Sequence, residues 1–322
     1  MLLKLKFQLL MVLVLALTTS CIYEDISECY KDLAISYDFT VESTGGTVTE
    51  EQFKADAKNL SVFVFEGKGL YVGVWYFNME EVRTTSKLPI NLPFGTYTMV
   101  MWGGILPNQY SVGSKEIGGG LSPLQAGVSK LEDFQLKVLE SKPGNVVDAM
   151  YENLYHSISS GVEVKDKVNT KVVLPVKKVS NDIVVKLYGL PRQEVVTYSS
   201  EFSYVQVLLM ASNGLYNYDN TVSDNAPLIT YLPYRRVENV KEDCIEVELR
   251  TMDIFAVSSP RLIVKNSISG VEMYNYNLRG LIQQIPDPEK QTKYVVELFY
   301  NTHGSVTLKV NGWVVVPIYV KI

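Results

Sequence analysis

Two histidines and three cysteines are all the imidazole and thiol chemistry in this 322-residue sequence. His156 and His303 stand far apart, and neither belongs to a spacing such as HExxH that sets two imidazoles on one helical face for a metal. No nucleophile elbow, Walker loop or dinucleotide fingerprint occurs. Gly118-Gly119-Gly120 lacks the strand before it and the helix after it that a phosphate cradle requires, so it reads as a flexible loop. Structural histidines are therefore expected, and a chain that is no enzyme, with no metal and no cofactor. Thirty Lys and Arg against 35 Asp and Glu give a net charge of −5. Phosphate backbones demand a concentrated positive field, so nucleic acid is not an expected partner.

The first twenty residues are an address. Lys4 and Lys6 precede an apolar run from Phe7 to Leu17, and Thr18, Thr19 and Ser20 lead into Cys21. A short basic region, a hydrophobic segment and small residues before a cut make a secretory signal peptide, residues 1–20. The run has about half of the ~20 apolar residues a spanning helix needs. With its terminal cysteine the segment resembles a bacterial lipobox, in which the thiol takes a diacylglycerol and becomes the first residue after cleavage. It departs from the usual box at Thr18, where Leu is customary; Leu17 sits one place further back. The resemblance implies lipidation at Cys21, the alternative being an ordinary signal peptide followed by a free cysteine. Acyl chains, at ~0.8 kcal/mol per buried CH₂, then hold the protein on a membrane. The mature chain, with 28 basic against 35 acidic residues, gains nothing from anionic headgroups. Glu24 and Asp25 resemble the export tag by which some Gram-negative bacteria place lipoproteins on the outer face of the outer membrane; a solvated linker is the alternative. Cys29 and Cys244 remain. In an oxidising compartment this even pair permits a disulfide between the N-terminal segment and the second half, the alternative being two buried thiols.

The elements around these residues are strands. Leu33, Ile35, Tyr37 and Phe39 alternate with polar or small neighbours, as do Ile245, Val247 and Leu249, and Val306, Leu308 and Val310. The segments 60–65, 70–77, 96–102, 134–139, 182–187, 205–210, 261–264, 294–299 and 313–320 read the same way or as fully buried strands. Glu66-Gly67-Lys68-Gly69 is a strong hairpin signal because glycine supplies the positive φ of tight turns, and Pro93-Phe94-Gly95 and Ser212-Asn213-Gly214 look similar. Helices are few: Glu50–Asn59, with Phe53, Ala57 and Leu60 on one face, and Tyr276–Ile285, stopped by Pro286 and Pro288. Tyrosine, at 21 residues against 11 phenylalanines, suggests sheets whose outer faces or ends meet water. Short strands without long helices predict a mainly β chain of two tandem antiparallel β-sandwich domains, 21–172 and 173–322, each with a hairpin-like pair, Val62–Tyr76 and Val205–Tyr218.

Taken in order, several of these features resemble the fimbrial-anchor (FimB-like) family of type V pili. They are Cys21, Cys29, the strand Leu33–Phe39, the segment Leu60–Glu66 with its glycine turn, Leu92–Gly103, Glu152–His156 and Asn181–Leu190. The resemblance implies transthyretin-like sandwiches and a lipid-anchored, surface-exposed lipoprotein of the outer membrane. It also implies a partner in the fimbrial shaft subunit, whose fibre the anchor attaches to the membrane and limits in growth. Related shaft subunits are cut after an arginine that follows the first strand, which opens a groove for a neighbour's strand. Here no arginine occurs between Cys21 and Val82; the first is Arg83. A subunit that keeps its own first strand closes its own sheet and ends the fibre. An edge formed by Val314, Val316, Ile318 and Val320, restricted by Pro317, could meet the partner, or it closes the core of the second domain. Two rival functions stand beside this one. Trp75, Trp102, Trp313 and the tyrosines could stack on sugars in a surface glycan-binding lipoprotein, or the chain could be a fimbrillin-like shaft or tip accessory subunit.

Overall fold

The computed structural model describes residues 30–38, 48–85, 87–116, 120–165, 170–190, 204–239, 241–301 and 305–317. The signal segment, Cys21, Glu24, Asp25, Cys29, His303, Gly118, Gly119, Ile318 and Val320 lie outside these residues. Period-two patterning produces a mainly β chain, most of whose strands pair antiparallel; β1/β11, β9/β16 and β13/β21 pair in parallel.

Among the described residues five sheets carry the fold. The first has β1 (Tyr30–Asp38) between β11 (Thr170–Pro175) and β4 (Leu88–Pro93). The second runs β12 (Lys177–Lys178), β10 (Tyr155–Val164), β5 (Gly95–Gly103), β2 (Asn59–Glu66) and β3 (Tyr71–Asn78). The third runs β15 (Leu215–Asn217), β8 (Phe134–Val138), β6 (Tyr110–Lys115) and β7 (Leu121–Ser122). The fourth runs β17 (Arg235–Asn239), β18 (Cys244–Met252), β13 (Ser180–Tyr188), β21 (Lys293–Tyr300), β22 (Val306–Val310) and β23 (Trp313–Val315). The fifth runs β20 (Glu272–Asn277), β19 (Arg261–Asn266), β14 (Val205–Ala211), β16 (Ile229–Tyr231) and β9 (Val146–Val147).

Strand β2 shows how the layers stack. Leu60, Val62 and Val64 turn into one core with Leu88, Ile90 and Leu92 of β4, while Phe63 and Phe65 turn the other way. Burial on both faces explains why this strand is a continuous apolar run. The second core extends without a break from Phe63 and Trp102 through Phe134 and Leu136 to Val185, Val207, Val247 and Val296 of the fourth and fifth sheets. Strands also pair across the expected 172/173 division: β8 with β15, and β9 with β16. That division falls inside β11, whose residues Thr170 to Pro175 pair with Leu33 to Asp38 of β1.

Local chemistry sets the remaining elements. Helix α1 (Glu50–Asp56) starts where Thr49 Oγ1 accepts from Gln52 N, and Phe53, Ala57 and Leu60 are all fully buried. Helix α2 (Met79–Thr84) is opened by a capping box, Asn78 with Glu81. Helix α3 is only Leu278–Ile282, because Tyr276 and Asn277 belong to β20. The Glu66–Gly69 turn closes the β2/β3 hairpin with Gly69 at φ 81° and its N–H on Glu66 O at 2.7 Å.

Two expected hairpin turns are instead crossings between sheets. Pro93-Phe94-Gly95 joins the first sheet to the second, held by Tyr97, whose hydroxyl donates to Pro93 O at 2.9 Å. Ser212-Asn213-Gly214 joins the fifth sheet to the third, so Val205–Tyr218 is no hairpin. Asn213 is fully buried; its Nδ2 donates to Thr251 Oγ1 and Met252 O, and its Oδ1 accepts from the Tyr231 hydroxyl at 2.8 Å. Glycine follows because a Cβ at 214 would meet Pro227 Cγ at 2.7 Å.

The tyrosines correct a second expectation. Tyr155, Tyr216, Tyr231, Tyr276 and Tyr294 are among the largest fully buried side chains. Several send their hydroxyls to loop carbonyls, Tyr294 to Pro288 O and Tyr151 to Leu139 O, so the polar tip meets backbone where water was expected.

Candidate functional site

The slot of the first strand is filled. β1 lies in the middle of the first sheet, antiparallel to β4 with Leu33 opposite Ile90 and Ile35 opposite Leu88, and parallel to β11 with Ile35 opposite Val172 and Tyr37 opposite Leu174. The partner residues Leu88, Ile90, Val172 and Leu174 are buried in the core shared with the second sheet. Arg83, the first arginine after Cys21, sits in α2, beyond β2 and β3, with its Nε on Lys54 O at 2.9 Å. A cut there would free β1 only together with α1, β2 and β3.

The two halves are joined by polar contacts as well as by shared core. Asp182 takes Arg250 Nε at 2.6 Å and Lys178 Nζ at 2.9 Å, and Arg250 Nη1 reaches back to Tyr151 O at 2.7 Å. Burial pushes the Asp182 carboxyl up, but the two cations outweigh it and hold it below the usual range. His156, buried at the start of β10, shares a hydrogen bond between its Nε2 and Tyr218 O at 2.9 Å and packs on Trp102 with ring centroids 4.5 Å apart. Burial drives its pKa down to about 4. This imidazole is a structural link between β10 and the segment after β15. Among the described residues no cluster of three His, Cys, Asp or Glu could hold a metal ion.

Cys244 begins β18, is buried, and has its thiol pushed up by that burial. Its expected partner Cys29 lies outside the described residues, next to Tyr30 of β1.

The C-terminal edge is described as far as Pro317. β23 covers Trp313–Val315 only and pairs with β22 on one side, forming the edge of the fourth sheet. Val314 and Val316 are 71% and 70% exposed, and Trp313 57%, whereas Val315 is buried. The chain leaves the sheet at Val316, whose N–H donates to Gln284 Oε1 and whose carbonyl accepts from Gln284 Nε2, ahead of Pro317. Of the other tryptophans, Trp102 is fully buried and Trp75 partly so.

The other free edges differ in chemistry. β17 carries Arg235, Arg236 and Glu238, and the two-residue β12 carries Lys177 next to the buried Lys178, and charge on an edge discourages strand addition. β3, Tyr71-Val72-Gly73-Val74-Trp75-Tyr76-Phe77-Asn78, carries none. This edge was not legible as an edge in the sequence, since nothing in a strand's own residues tells whether one neighbour or two will pair with it.

Known proteins agree with this architecture. The profile of the fimbrillin-A associated anchor proteins Mfa1 and Mfa2 matches residues 26–319. No curated protein matches the sequence. Among solved structures, the fimbrial anchor protein Mfa2 from Porphyromonas gingivalis superposes with a TM-score of 0.68 at 17% identity, over 90% of this chain and 100% of that one. A protein from Bacteroides ovatus described as a candidate adhesin gives a TM-score of 0.71 at 16% identity, over 88% and 95%. One from Bacteroides thetaiotaomicron described as a candidate polysaccharide-binding protein gives 0.69 at 18% identity, over 88% and 96%. These structural likenesses concern the fold; with the profile spanning nearly the whole sequence, the chain belongs to the family of fimbrillin-A associated anchor proteins.

Proposed function

We propose that this family member, a fimbrial accessory subunit, is the anchor itself: a lipoprotein held in the outer membrane by acyl chains on Cys21, which binds the fimbrial shaft subunit and limits fibre growth. The observation that carries the reading is the filled slot. β1 is paired on both sides by its own chain, and no arginine before Arg83 offers a site for its release. A sheet that already holds its strand has no unpaired backbone to offer a following subunit there. The partner contact falls to the free edge at β23, where Val314, and Val316 just past its end, are exposed; Ile318 and Val320, the rest of the expected edge, lie outside the described residues. Two sandwiches divided near β11 and a Cys29–Cys244 bridge belong to the same reading.

Cys21→Ser in the native host tests the anchor. Fibres detached into the medium, with the protein no longer in the membrane fraction, are the expected result. Fibres that stay attached, or a mature protein cleaved between residues 40 and 82, overturn it. The glycan-binding reading is less favoured because Trp102 is buried and Trp75 partly so, which leaves Trp313 as the exposed tryptophan. Intact fibres with poor growth on a polysaccharide after gene deletion would support it instead.

A further inference from the structure

We propose that β3 and the cleft beside it form a second docking site, which receives an extended, uncharged polypeptide segment of a partner protein as an added strand of the second sheet. This inference does not depend on the anchor reading, and it concerns a different sheet from the one that holds β1.

The edge is long and open. β3 pairs only with β2, and its outer side is occupied at one end alone, where Tyr71 N donates to Ser129 O and Tyr71 O accepts from Gly127 N, both at 2.8 Å. From Val72 to Phe77 no strand among the described residues flanks it. β2 is buried along its whole middle, whereas β3 from Val72 onward is half-buried or exposed, with Tyr76 at 72%. An edge of this length with no charge or proline is what folded proteins normally avoid, because its unpaired N–H and C=O groups template another chain. The comparison within this molecule is direct. The opposite edge of the same sheet is only two residues long and carries Lys177, Lys178 beside it being buried against Asp182, and the edge of the fourth sheet far from β23 has two arginines and a glutamate. A bulge at Val72 sets the start of the open stretch, and beyond it β3 has a brace in place of a charge: the ring of Trp75 lies over Gly73, 3.4 Å from where a Cβ would stand.

The cleft specifies the occupant. A concavity of about 670 Å³ lies between the Phe63–Tyr76 face of this hairpin and β6 with its flanking loops. Its walls include Phe63, Tyr71, Tyr76, Pro107, Tyr110 and Leu124, and no lining residue is charged. A charged segment would lose its hydration there without a partner. Alternating backbone donors and acceptors on the edge can be satisfied in series only by another extended backbone at the ~4.8 Å spacing of a sheet. Every second side chain of an added strand then turns toward the cleft, and the alternate ones turn toward Trp75 and Phe77. An apolar or β-branched, alternating segment of six to eight residues fits both faces.

The test uses the mature full-length protein and a displayed library of ten-residue peptides lacking Asp, Glu, Lys, Arg and His, with maltose as a counter-probe. Selected peptides, resynthesised, are expected to slow hydrogen exchange of amides between Val72 and Asn78. Tyr76→Lys, an exposed position where folding is not at risk, is expected to raise their Kd at least about tenfold. Val237→Lys on the guarded β17 edge is expected to leave it unchanged. A library that yields no binder, binders that protect other segments, binding indifferent to Tyr76→Lys, or a site that takes maltose but no peptide each overturns the proposal.

Discussion

Replacing His156 by glutamine should remove most of the acid sensitivity of the contact between β10 and the segment after β15. In the folded chain the ring is enclosed between Trp102 and the Tyr218 carbonyl, and burial lowers its pKa from 6.5 to about 4; Lys177 opposes protonation and Asp219 favours it. The unfolded chain takes up the proton at its ordinary value. Because the folded-state pKa is depressed, the stability this group supports is complete above pH 6.5 and is lost as pH falls toward 4. At ~1.4 kcal/mol per pKa unit the full loss is about 3 kcal/mol, of which about 2 kcal/mol has gone by pH 5. Asp253 works against it in the same window. Burial raises its carboxyl to about 6, so the folded state gains a proton there and is stabilised as pH falls through 6 toward the ordinary value of 3.8. Since Asp253 is common to both proteins, the difference between wild type and His156→Gln isolates the imidazole. Glutamine keeps an amide donor for Tyr218 O and does not titrate. Urea unfolding followed by tryptophan fluorescence and circular dichroism, at pH 7 and pH 5, reads the change. The wild-type midpoint should fall relative to the variant by about 0.7 M, taking an m of about 3 kcal/mol/M. A stability difference between the two proteins that is the same at both pH values within about 0.5 kcal/mol refutes the reasoning.

Other perturbations have equally local causes. Gly104→Ala puts a Cβ 2.0 Å from Asn153 O at a backbone φ of 88°, so neither rotamer change nor small shifts relieve it, and a loss of about 3 kcal/mol is expected in a denaturation series. Asn213→Ala strands the Tyr231 hydroxyl and opens a void at the crossing between the fifth and third sheets; a loss of about 2–4 kcal/mol, seen as a melting temperature lowered by several degrees, is the expected outcome. Val314→Lys with Val316→Lys changes two exposed side chains at the β23 edge, so stability should move by no more than about 0.5 kcal/mol each while fibre retention on cells falls; unaltered retention would remove β23 as the partner contact.

How much of this was readable in advance follows from where each signal resides. β2 was legible because both its faces are buried, and six consecutive residues therefore had to be apolar or small. β10, its near neighbour through β5, was not: its register slips between Ser159 and Val162, with Gly161 at φ 71°, which breaks the alternation that would have announced a strand. Helix α2 carried its signal in plain view, Asn78 followed three residues later by Glu81, but six residues are too few for a 3.6-residue period to stand out. Turn chemistry gave the bends correctly and their destinations only in part. Gly69 has the positive φ of a hairpin, whereas Gly214 is there because Pro227 and Ile229 lie against it, and a sequence shows the same residue type for both needs.

The same limit governs function. Val62 and Val314 are alike as residues; one is fully buried in the middle of a sheet and the other 71% exposed on an edge, and only tertiary pairing decides which. On the proposed function, accepting or refusing a strand is done by backbone groups, which every residue type shares. The informative residues are the ones that guard an edge, Lys177, Arg235 and Arg236, and, by their lack of charge, Tyr71 to Asn78. Filling the slot of β1 and leaving β3 unguarded are then two settings of one physical variable, the number of unpaired backbone groups a sheet presents to its surroundings.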